Sequence, residues 1–249
     1  MLKYFALSFF FAATALSAQT TCAPNFAFEG FTQPSQWRYI NAQCAIGQQS
    51  PIAIGTPFVN ARNAPITVTY QPMPITVRNT GYDFRVLSTR NNRISVSGIG
   101  TATLDNFHFH TPAEHSIPGY GQLAGEIHFV HRTAAGRIVA IAVLLTNTGA
   151  SNNAALQPII AQLPIHLCDT KVTTVNVNPL LPASIPAYYR YTGSLTTPGC
   201  NPDVTFLVLP TPMSIGASQL STLAHFGKNA RPPQTRIMNP LTTITHVTP

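Results

Sequence analysis

The sequence predicts a mainly β protein of the α+β class, a single domain with a few short peripheral helices. Three observations support this prediction. The 22 prolines and 15 glycines are spread along all 249 residues, without a linker that would separate two halves. Helical periodicity is hard to find. Short runs rich in β-branched and aromatic residues dominate instead, and turn residues bound them. No segment repeats at a period of 20–50 residues, so a repeat architecture is not indicated.

The strand candidates follow one another at short intervals. Turn sequences such as Asn79-Thr80-Gly81 and Asn91-Asn92 separate them. In chain order the predicted strands are residues 66–70, 75–77, 84–87, 94–96, 106–110, 126–130, 138–145 and 204–209. The best helix candidate is residues 153–163, and the second is residues 218–226.

The first 18 residues have the pattern of a secretory signal peptide. One positive charge at Lys3 precedes a short apolar run, and small residues follow it up to Gln19. The alternative, an N-terminal membrane anchor, is disfavoured because the run is shorter than the ~20 residues that span a bilayer. We therefore expect a leader over residues 1–18, a domain over residues 19–249 with no membrane span, and a secreted or periplasmic location.

If the protein is exported, its four cysteines are expected to form disulfides. An oxidising compartment favours disulfides, and four cysteines allow three different pairings. No two of them are close enough in sequence to suggest a zinc–thiolate cluster. The cysteines are Cys22, Cys44, Cys168 and Cys200.

Charge is scarce and unevenly placed. Only 8% of the residues are charged, about a third of the usual share. The formal net charge is +7, but no two Lys or Arg residues are adjacent, so the basic stripe of a nucleic-acid-binding protein is missing. There are only three Glu residues; two of them lie within residues 108–131, which also hold five of the eight His residues. This concentration indicates a site.

Two of the predicted strands carry the candidate site residues. Residues two apart on a strand share a face, so His108 and His110 point to one side together with Asn106. By the same rule His128 shares a face with Glu126. If the two strands are neighbours, the three His residues converge, and three His ligands with an open fourth position are typical of catalytic zinc. Glu126 and Asn106 are placed to accept the second N–H of His128 and His108.

The remaining histidines are expected to be structural. His131 takes the opposite face of its strand by parity, so it is predicted to pack in the core. His166, His225 and His246 have no partners in the sequence and are expected on the surface or in packing roles. A second type of metal site remains open at this point: two His residues followed by Glu114 also resemble the first motif of cupins, although Ala102 stands where cupins have glycine.

Several blocks along the chain carry a resemblance to one family. They occur in order between Phe26 and Gln234. The blocks are Trp37, Cys44, Gly47, Gln49-Ser50-Pro51-Ile52, Phe107-His108-Phe109-His110, Ala113-Glu114-His115, residues 126–131, Tyr191-Thr192-Gly193-Ser194-Leu195-Thr196-Thr197-Pro198, and Asn229-Ala230-Arg231-Pro232-Pro233-Gln234. Together they resemble the α-class carbonic anhydrases of secreted and bacterial type.

The resemblance implies a fold and a reaction. The fold would be a large twisted, mostly antiparallel central sheet with zinc at the floor of a cone. His108, His110 and His128 would hold Zn²⁺, which lowers the pKa of its bound water to about 7, the value established for carbonic anhydrases as a class. The resulting hydroxide would hydrate CO₂ reversibly to bicarbonate and a proton. Thr196 would accept the hydroxide proton and donate its own O–H to an ionised Glu114.

The resemblance also assigns supporting roles. Thr197 would line the substrate side, and Val130, Leu195 and Ile141 would form the apolar CO₂ pocket. His115 and Tyr191 would share a buried hydrogen bond. Cys44 and Cys200 would form the family disulfide, which leaves Cys22 and Cys168 as the second pair. Sulfonamides and anions would inhibit, and the chain would be a monomer or homodimer.

Two departures from the family pattern concern the mechanism. Tyr82 stands where the family has the His that shuttles protons, and a phenol with a pKa near ~10 is a poor relay at neutral pH. We therefore expect a working but slower enzyme. Phe28 lacks a hydroxyl that usually touches the water network. The alternative of a non-catalytic carbonic-anhydrase-like binding module is disfavoured because such relatives usually lose a zinc ligand.

Overall fold

A computed structural model describes residues 23–55, 59–62, 65–89, 91–147, 149, 151–234 and 244–248. The predicted leader, residues 1–18, and Cys22 lie outside the described residues. Within those ranges, no helix combines the length and the apolar character needed to cross a bilayer.

Strands dominate the described residues. The strands are β1 (Val59–Arg62), β2 (Ile66–Thr69), β3 (Met73–Asn79), β4 (Phe84–Ser88), β5 (Arg93–Val96), β6 (Gly100–His110), β7 (Gly125–Thr133), β8 (Ile138–Thr146), β9 (Thr170–Val175), β10 (Ser184–Ile185), β11 (Tyr188–Gly193), β12 (Val204–Val208), β13 (Met213–Ser214) and β14 (Thr245–Thr248). The α-helices are short: α1 (Trp37–Ile40), α2 (Gln157–Ile160) and α3 (Ala217–Leu223). Single 3₁₀ turns cover Gly30–Thr32, Pro34–Gln36, Ala42–Ala45, Asn178–Leu180 and Ala224–Phe226.

The strands form one large mixed sheet. Its main path runs β1-β14-β11-β12-β8-β7-β6-β4-β3-β9, while β5, β2, β10 and β13 branch from it. Most neighbours are antiparallel, and the parallel pairs are β1 with β14 and β8 with both β12 and β13. The predicted mainly β, mostly antiparallel fold is confirmed.

The eight predicted strands all fall on observed strands, but the helix over residues 153–163 is wrong in extent. Only α2 is α-helical there. Pro158 lacks an N–H and is accepted only in the first helical turn, so it sets the start of the helix, and Pro164 follows soon after its end. The second helix candidate is confirmed as α3 and the 3₁₀ turn after it.

The central strands β6, β7 and β8 are buried on both faces. One face packs against the larger hydrophobic cluster, which includes Phe107, Phe109 and Phe129. The opposite face packs against a smaller cluster that includes Ala142, Tyr191 and Phe206. The candidate histidines project toward this second side, where the sheet meets the loops of residues 111–124 and 194–203.

Candidate active site

A β-bulge in β6 sets which way the histidines point. The register between β6 and β7 shifts between Leu104 and Asn106. Leu104 lies in the larger core, and without the shift Asn106, two residues later, would share its face. The extra residue, Asp105, lets Asn106, His108 and His110 turn to the opposite face, in keeping with the tendency of bulges to re-aim side chains.

The three histidines converge as the strand pattern predicts. His108 lies directly opposite His128 in the β6–β7 ladder. The ring centroids are 5.1 Å apart for His108 and His110, 5.4 Å for His108 and His128, and 4.7 Å for His110 and His128. One nitrogen from each ring lies within 4.8 Å of the others. This spacing suits a single metal ion bound by three imidazoles.

Each of these rings is oriented by a hydrogen bond at its other nitrogen. Nδ1 of His108 lies 3.0 Å from Oδ1 of Asn106, Nδ1 of His110 lies 2.9 Å from the carbonyl oxygen of Asn229, and Nε2 of His128 lies 2.8 Å from Oε1 of Glu126. Such contacts fix the tautomer of a metal ligand and raise its basicity. They leave Nε2 of His108, Nε2 of His110 and Nδ1 of His128 facing one another.

The environment keeps two of the ligand candidates neutral. Burial, reinforced by the Arg85 guanidinium and the neighbouring imidazoles, holds the pKa of His108 well below its usual value. Burial likewise lowers the pKa of His110. Neutral imidazole is the form that binds a metal. Burial also acts to lower the pKa of His128, but the Glu126 carboxylate outweighs it and raises that pKa.

Glu126 is the central acceptor behind the site. Its Oε2 accepts the backbone N–H groups of Glu114 and His115 at 2.8 and 2.7 Å. Its Oε1 lies 2.6 Å from Nδ1 of His115 and 2.8 Å from Nε2 of His128. Burial acts to raise the pKa of Glu126, but His115 and His128 lower it well below the usual range, so the carboxylate is ionised.

A second group with metal-like spacing consists of His115, Glu126 and His128. Its atoms already bond to one another, and Nε2 of His115 lies 2.6 Å from the Tyr191 hydroxyl. The hydrogen bond that the resemblance implies between His115 and Tyr191 is therefore present. This second group is a buried hydrogen-bond network, whereas the three facing histidines have free nitrogens.

Glu114 points one oxygen into the space between the histidines. Its Oε1 accepts the backbone N–H of Arg231 at 2.8 Å. Within the described part of the chain, its Oε2 is buried without a hydrogen-bond partner, as is Nε2 of His110; these two atoms are 3.6 Å apart. Orphaned buried polar atoms are costly, and a cation with its bound water would satisfy both. The residues therefore fit a metal ion.

A cavity of about 180 Å³ opens beside His108 and His128. Among the residues that line it, Val130, Leu195, Thr196 and Thr197 were predicted from the sequence, and the others include Ile138, Ala140, Val204 and Phe206. Thr196 and Glu114 are not hydrogen-bonded in the structure: Oε1 of Glu114 accepts the N–H of Arg231, and Oε2 has no partner among the described residues.

Ile141 was wrongly predicted to line this cavity. It is fully buried in the larger core and lies opposite Phe129 in the β7–β8 ladder. Because neighbours directly opposite in a ladder share a face, Ile141 must point away from the histidines. Its neighbour Ala140, opposite Val130, takes the cavity side instead.

The comparisons with known proteins agree with this geometry. The family profile described as "Eukaryotic-type carbonic anhydrase" matches residues 32–243. The chain belongs to this family. Carbonic anhydrases hydrate CO₂ reversibly, so the chain is an enzyme, a carbonate dehydratase.

Bacterial carbonic anhydrases are among the most similar relatives. That of Klebsiella pneumoniae is 32% identical over 220 residues, which cover 86% of this chain and 87% of the relative. Among solved structures, the α-carbonic anhydrase of Photobacterium profundum superposes with a TM-score of 0.80 at 32% identity, covering 88% of this chain and 99% of that one. That of Thermovibrio ammonificans, solved with sulfanilamide, also gives 0.80 at 30% identity, covering 88% and 98%. A cupin fold is thereby excluded.

Tyr82, for which the family resemblance implies the shuttle position, is not among the residues that line the cavity. Its hydroxyl accepts a hydrogen bond from Nη2 of Arg85 at 3.0 Å, and its ring packs 4.8 Å from that of Phe26 and 6.3 Å from that of Phe28. Burial and the Asp83 carboxylate raise the pKa of Tyr82 above that of an ordinary phenol. The phenol is thus held in its neutral form at physiological pH.

The predicted disulfide between Cys44 and Cys200 is present, with the two Cα atoms 5.0 Å apart. The Cys200 N–H donates to the carbonyl of Thr197 at 2.9 Å. The disulfide therefore fixes the end of the loop that carries Thr196 and Thr197. Cys168 is also in a disulfide, but Cys22 lies outside the described residues, and their pairing stays a prediction.

His131 is packed in the larger core, as predicted. Its Nε2 lies 2.7 Å from the Tyr70 hydroxyl and its Nδ1 is 3.3 Å from the carbonyl oxygen of Val139. The ring of His225 packs tilted against Phe84 and edge-on against Phe226, and His246 stacks on Tyr189 with ring centroids 4.6 Å apart. His166 is exposed.

Three functional contacts were not predicted from the sequence. Asn229 holds His110 through its backbone carbonyl, Arg231 holds Glu114 through its backbone N–H, and Arg85 enters the cavity wall. The first two use main-chain atoms, for which side-chain identity gives no signal. The charge of Arg85 was visible in the sequence, but its cavity-facing position follows from pairing with His108 across β4 and β6.

Proposed function

We propose that the chain is a zinc enzyme that hydrates CO₂ with Zn²⁺ held by His108, His110 and His128. The observation that supports this most directly is the convergence of three ring nitrogens whose opposite nitrogens are already anchored. When bound, zinc supplies a hydroxide nucleophile near neutral pH by lowering the pKa of a water to about 7, as established for carbonic anhydrases as a class.

The chain's own residues orient this chemistry. Asn106 and Glu126 fix the rings of His108 and His128 through the hydrogen bonds given above. We propose that Oε2 of Glu114 accepts the O–H of Thr196, which would satisfy the carboxylate oxygen that lacks a partner. Thr196 then keeps its oxygen lone pair directed at the nucleophile. Val130 and Leu195 form the apolar wall on which CO₂ would rest, and Thr197 lines the same cavity.

We further propose that turnover is limited by the removal of the proton. With Tyr82 unable to relay, a proton that leaves a group of pKa ~7 directly to water faces a barrier of about 12 kcal/mol, which limits turnover to on the order of 10⁴ s⁻¹. The fastest carbonic anhydrases reach ~10⁶ s⁻¹. Buffer in solution would then carry the proton, and turnover would rise with buffer concentration.

The test combines metal analysis with a stopped-flow assay of CO₂ hydration. We expect about one zinc per chain, and hydration that is inhibited by sulfanilamide, the inhibitor bound in the Thermovibrio ammonificans structure. His110→Ala should lose most of the zinc and the activity, whereas the matched change His166→Ala, at an exposed histidine, should lose neither. Zinc-loaded protein without hydration activity would contradict the proposal, and so would full activity in the His110→Ala variant.

We also propose that the protein is exported, with residues 1–18 as its leader. The disulfide between Cys44 and Cys200 supports this, because disulfides persist in oxidising compartments. Mass spectrometry of the protein recovered from periplasmic and culture fractions would test it. A mature form that begins near Gln19 is the expected result, and an uncleaved cytoplasmic form would contradict the proposal.

A further inference from the structure

The cavity beside the histidines contains more positive than negative charge. Arg85, Arg132 and Asp105 line it. Asp105 is paired with Arg132, whose Nε lies 3.6 Å from Oδ2, and both side chains are about half exposed. The remaining cation, Arg85, therefore has no carboxylate partner within the cavity wall.

Arg85 is anchored from behind. Its Nη2 donates to Oδ2 of Asp83 at 2.7 Å and to the Tyr82 hydroxyl at 3.0 Å. The Asp83 side chain is only 1% exposed, whereas that of Arg85 is 30% exposed, and Asp83 does not line the cavity. An anion in the cavity would thus meet N–H donors rather than the carboxylate.

The guanidinium also has unused donor capacity. Arginine carries five N–H groups, and Nη2 supplies both contacts described above. Nε of Arg85 has no hydrogen-bond partner among the described residues, but it is buried. The N–H groups of Nη1, which have no partner among the residues that the structure describes, are therefore the ones that can donate to an oxoanion in the cavity.

The whole molecule favours the arrival of anions. Its formal net charge is +7, with only seven Asp and Glu residues, and Asp83, Glu114 and Glu126 are buried. The positive electrostatic potential of such a protein raises the local concentration of anions at its surface. A cavity with low-dielectric walls concentrates this potential further.

We propose that Arg85 binds a small proton-accepting oxoanion, such as hydrogen phosphate, in the cavity, and that this anion carries the proton away in place of a side chain. The binding site stands on the geometry of Arg85, and its role in proton removal rests on the proposed function. HPO₄²⁻ accepts the proton released by CO₂ hydration and becomes H₂PO₄⁻. The loss of one negative charge weakens its attraction to Arg85, so the protonated carrier leaves.

The binding step is tested with inorganic phosphate on the full-length, zinc-loaded protein. Phosphate is titrated at constant ionic strength and followed by ³¹P NMR line width. Arg85→Gln should weaken binding by about fivefold, the size expected for a dianion and one cation several ångströms apart near water. The matched control Arg132→Gln removes the same charge from the same cavity and should have the smaller effect. Equal phosphate affinity in wild type and Arg85→Gln would overturn the proposal.

Loss of Arg85 alone leaves the buried Asp83 carboxylate unpaired, which can unfold a protein. The double variant Asp83→Asn/Arg85→Gln removes both charges and should show the same loss of phosphate binding. Arg85→Lys keeps the positive charge and should retain part of the affinity. A double variant that binds phosphate like the wild type would overturn the proposal.

The role in turnover is tested by comparing two buffers of similar pKa near 7. Phosphate supplies an anionic acceptor, and imidazole supplies a neutral one. The wild type should reach half of its maximal buffer effect at a phosphate concentration about fivefold lower than the imidazole concentration, and Arg85→Gln should abolish this difference. Equal responses of the wild type to both buffers would overturn this role. Zinc-loaded protein that hydrates no CO₂ in either buffer would refute the proposed function instead, while the ³¹P titration would still report on the anion site.

Discussion

Glu126 is the residue on which most of the site depends. It is fully buried, and its two oxygens accept hydrogen bonds from two backbone N–H groups and two imidazoles. It therefore fixes both the loop that begins at residue 111 and the ring of His128. Glu126, one of only three Glu residues in the chain, therefore orients the candidate zinc ligand His128 without itself being a proposed ligand.

Glu126→Gln should weaken zinc binding by about 10- to 100-fold, because the amide cannot match the carboxylate as an acceptor behind His128. Competition against a chelator of known zinc affinity measures this. Glu29→Gln makes the same change at an exposed glutamate and should bind zinc like the wild type. Wild-type zinc affinity in the Glu126→Gln variant would contradict the assigned role.

Substitutions at Tyr82 test the proposal that this side chain does not relay protons. Tyr82→Phe removes the hydroxyl and should change turnover by less than about twofold, since a phenol whose pKa is raised carries few protons at neutral pH. Tyr82→His introduces an imidazole that titrates near neutrality and should raise turnover in weak buffer by about tenfold. Both are measured by stopped flow at low buffer concentration. Because the Tyr82 hydroxyl also holds Arg85, phosphate binding is measured in the same variant; a large loss of turnover with unchanged phosphate binding would show that the phenol does relay protons.

His131 makes stability depend on pH. Burial lowers the pKa of His131 from 6.5 to about 4, so between these values the unfolded chain binds the proton more readily than the folded protein. Stability should therefore fall as pH falls from 6.5 to 4, by up to about 3 kcal/mol from this residue. Urea unfolding of wild type and His131→Phe measures it. The variant is expected to be less stable at pH 7 but to lose less stability on acidification; an unchanged pH slope would refute this assignment.

At the scale of elements, the alternation of side chains along a strand predicts the correct face for residues of β6 but not for residues of β8. Alternation correctly placed Asn106, His108 and His110 together because the bulge lies before all three. The bulge itself was not predicted from the sequence, since it is defined by the register of β6 against β7 and not by the residue type at Asp105. On β8, a continuous apolar run buried on both faces offers no alternation, so the sequence held nothing that could correct the side that the family resemblance implied for Ile141.

The two faces of β8 should respond differently to substitution. Ala140→Leu narrows the cavity beside the histidines and should lower kcat/KM for CO₂ by at least about tenfold. Ile141→Val removes one methylene from the opposite core and should cost about 0.5–1.5 kcal/mol of unfolding free energy without a kinetic effect. Stopped-flow kinetics and urea unfolding of both variants separate the effects. A kinetic defect in Ile141→Val would place that side chain in the cavity after all.

At the scale of the whole molecule, the disulfide links two segments that are far apart in sequence. Cys44 and Cys200 are 156 residues apart, and both belong to a small cluster around Trp37. Arg231 connects this cluster to the candidate site. Its Nη2 donates to the Cys44 carbonyl, and its backbone N–H donates to Oε1 of Glu114. The disulfide thus stabilises the surroundings of the cavity as well as the fold.

Removal of this disulfide should cost up to about 5 kcal/mol of unfolding free energy, the chain-entropy value for a loop of this length. Urea unfolding of Cys44→Ala/Cys200→Ala under oxidising conditions measures the loss. The variant Cys44→Val/Cys200→Val keeps apolar volume in the cluster and isolates the effect of the bond. Wild-type stability in the valine pair would show that packing, not the cross-link, accounts for the loss.

The strand content, the shared face of the three histidines and the family were all predictable from the sequence, because local alternation and short motifs carry that information. The tertiary structure alone decided that Asn229 and Arg231 act through main-chain atoms, that Ile141 faces the core, and that Arg85 faces the cavity. Each of these depends on ladder register or on contacts across more than a hundred residues, which no local pattern encodes.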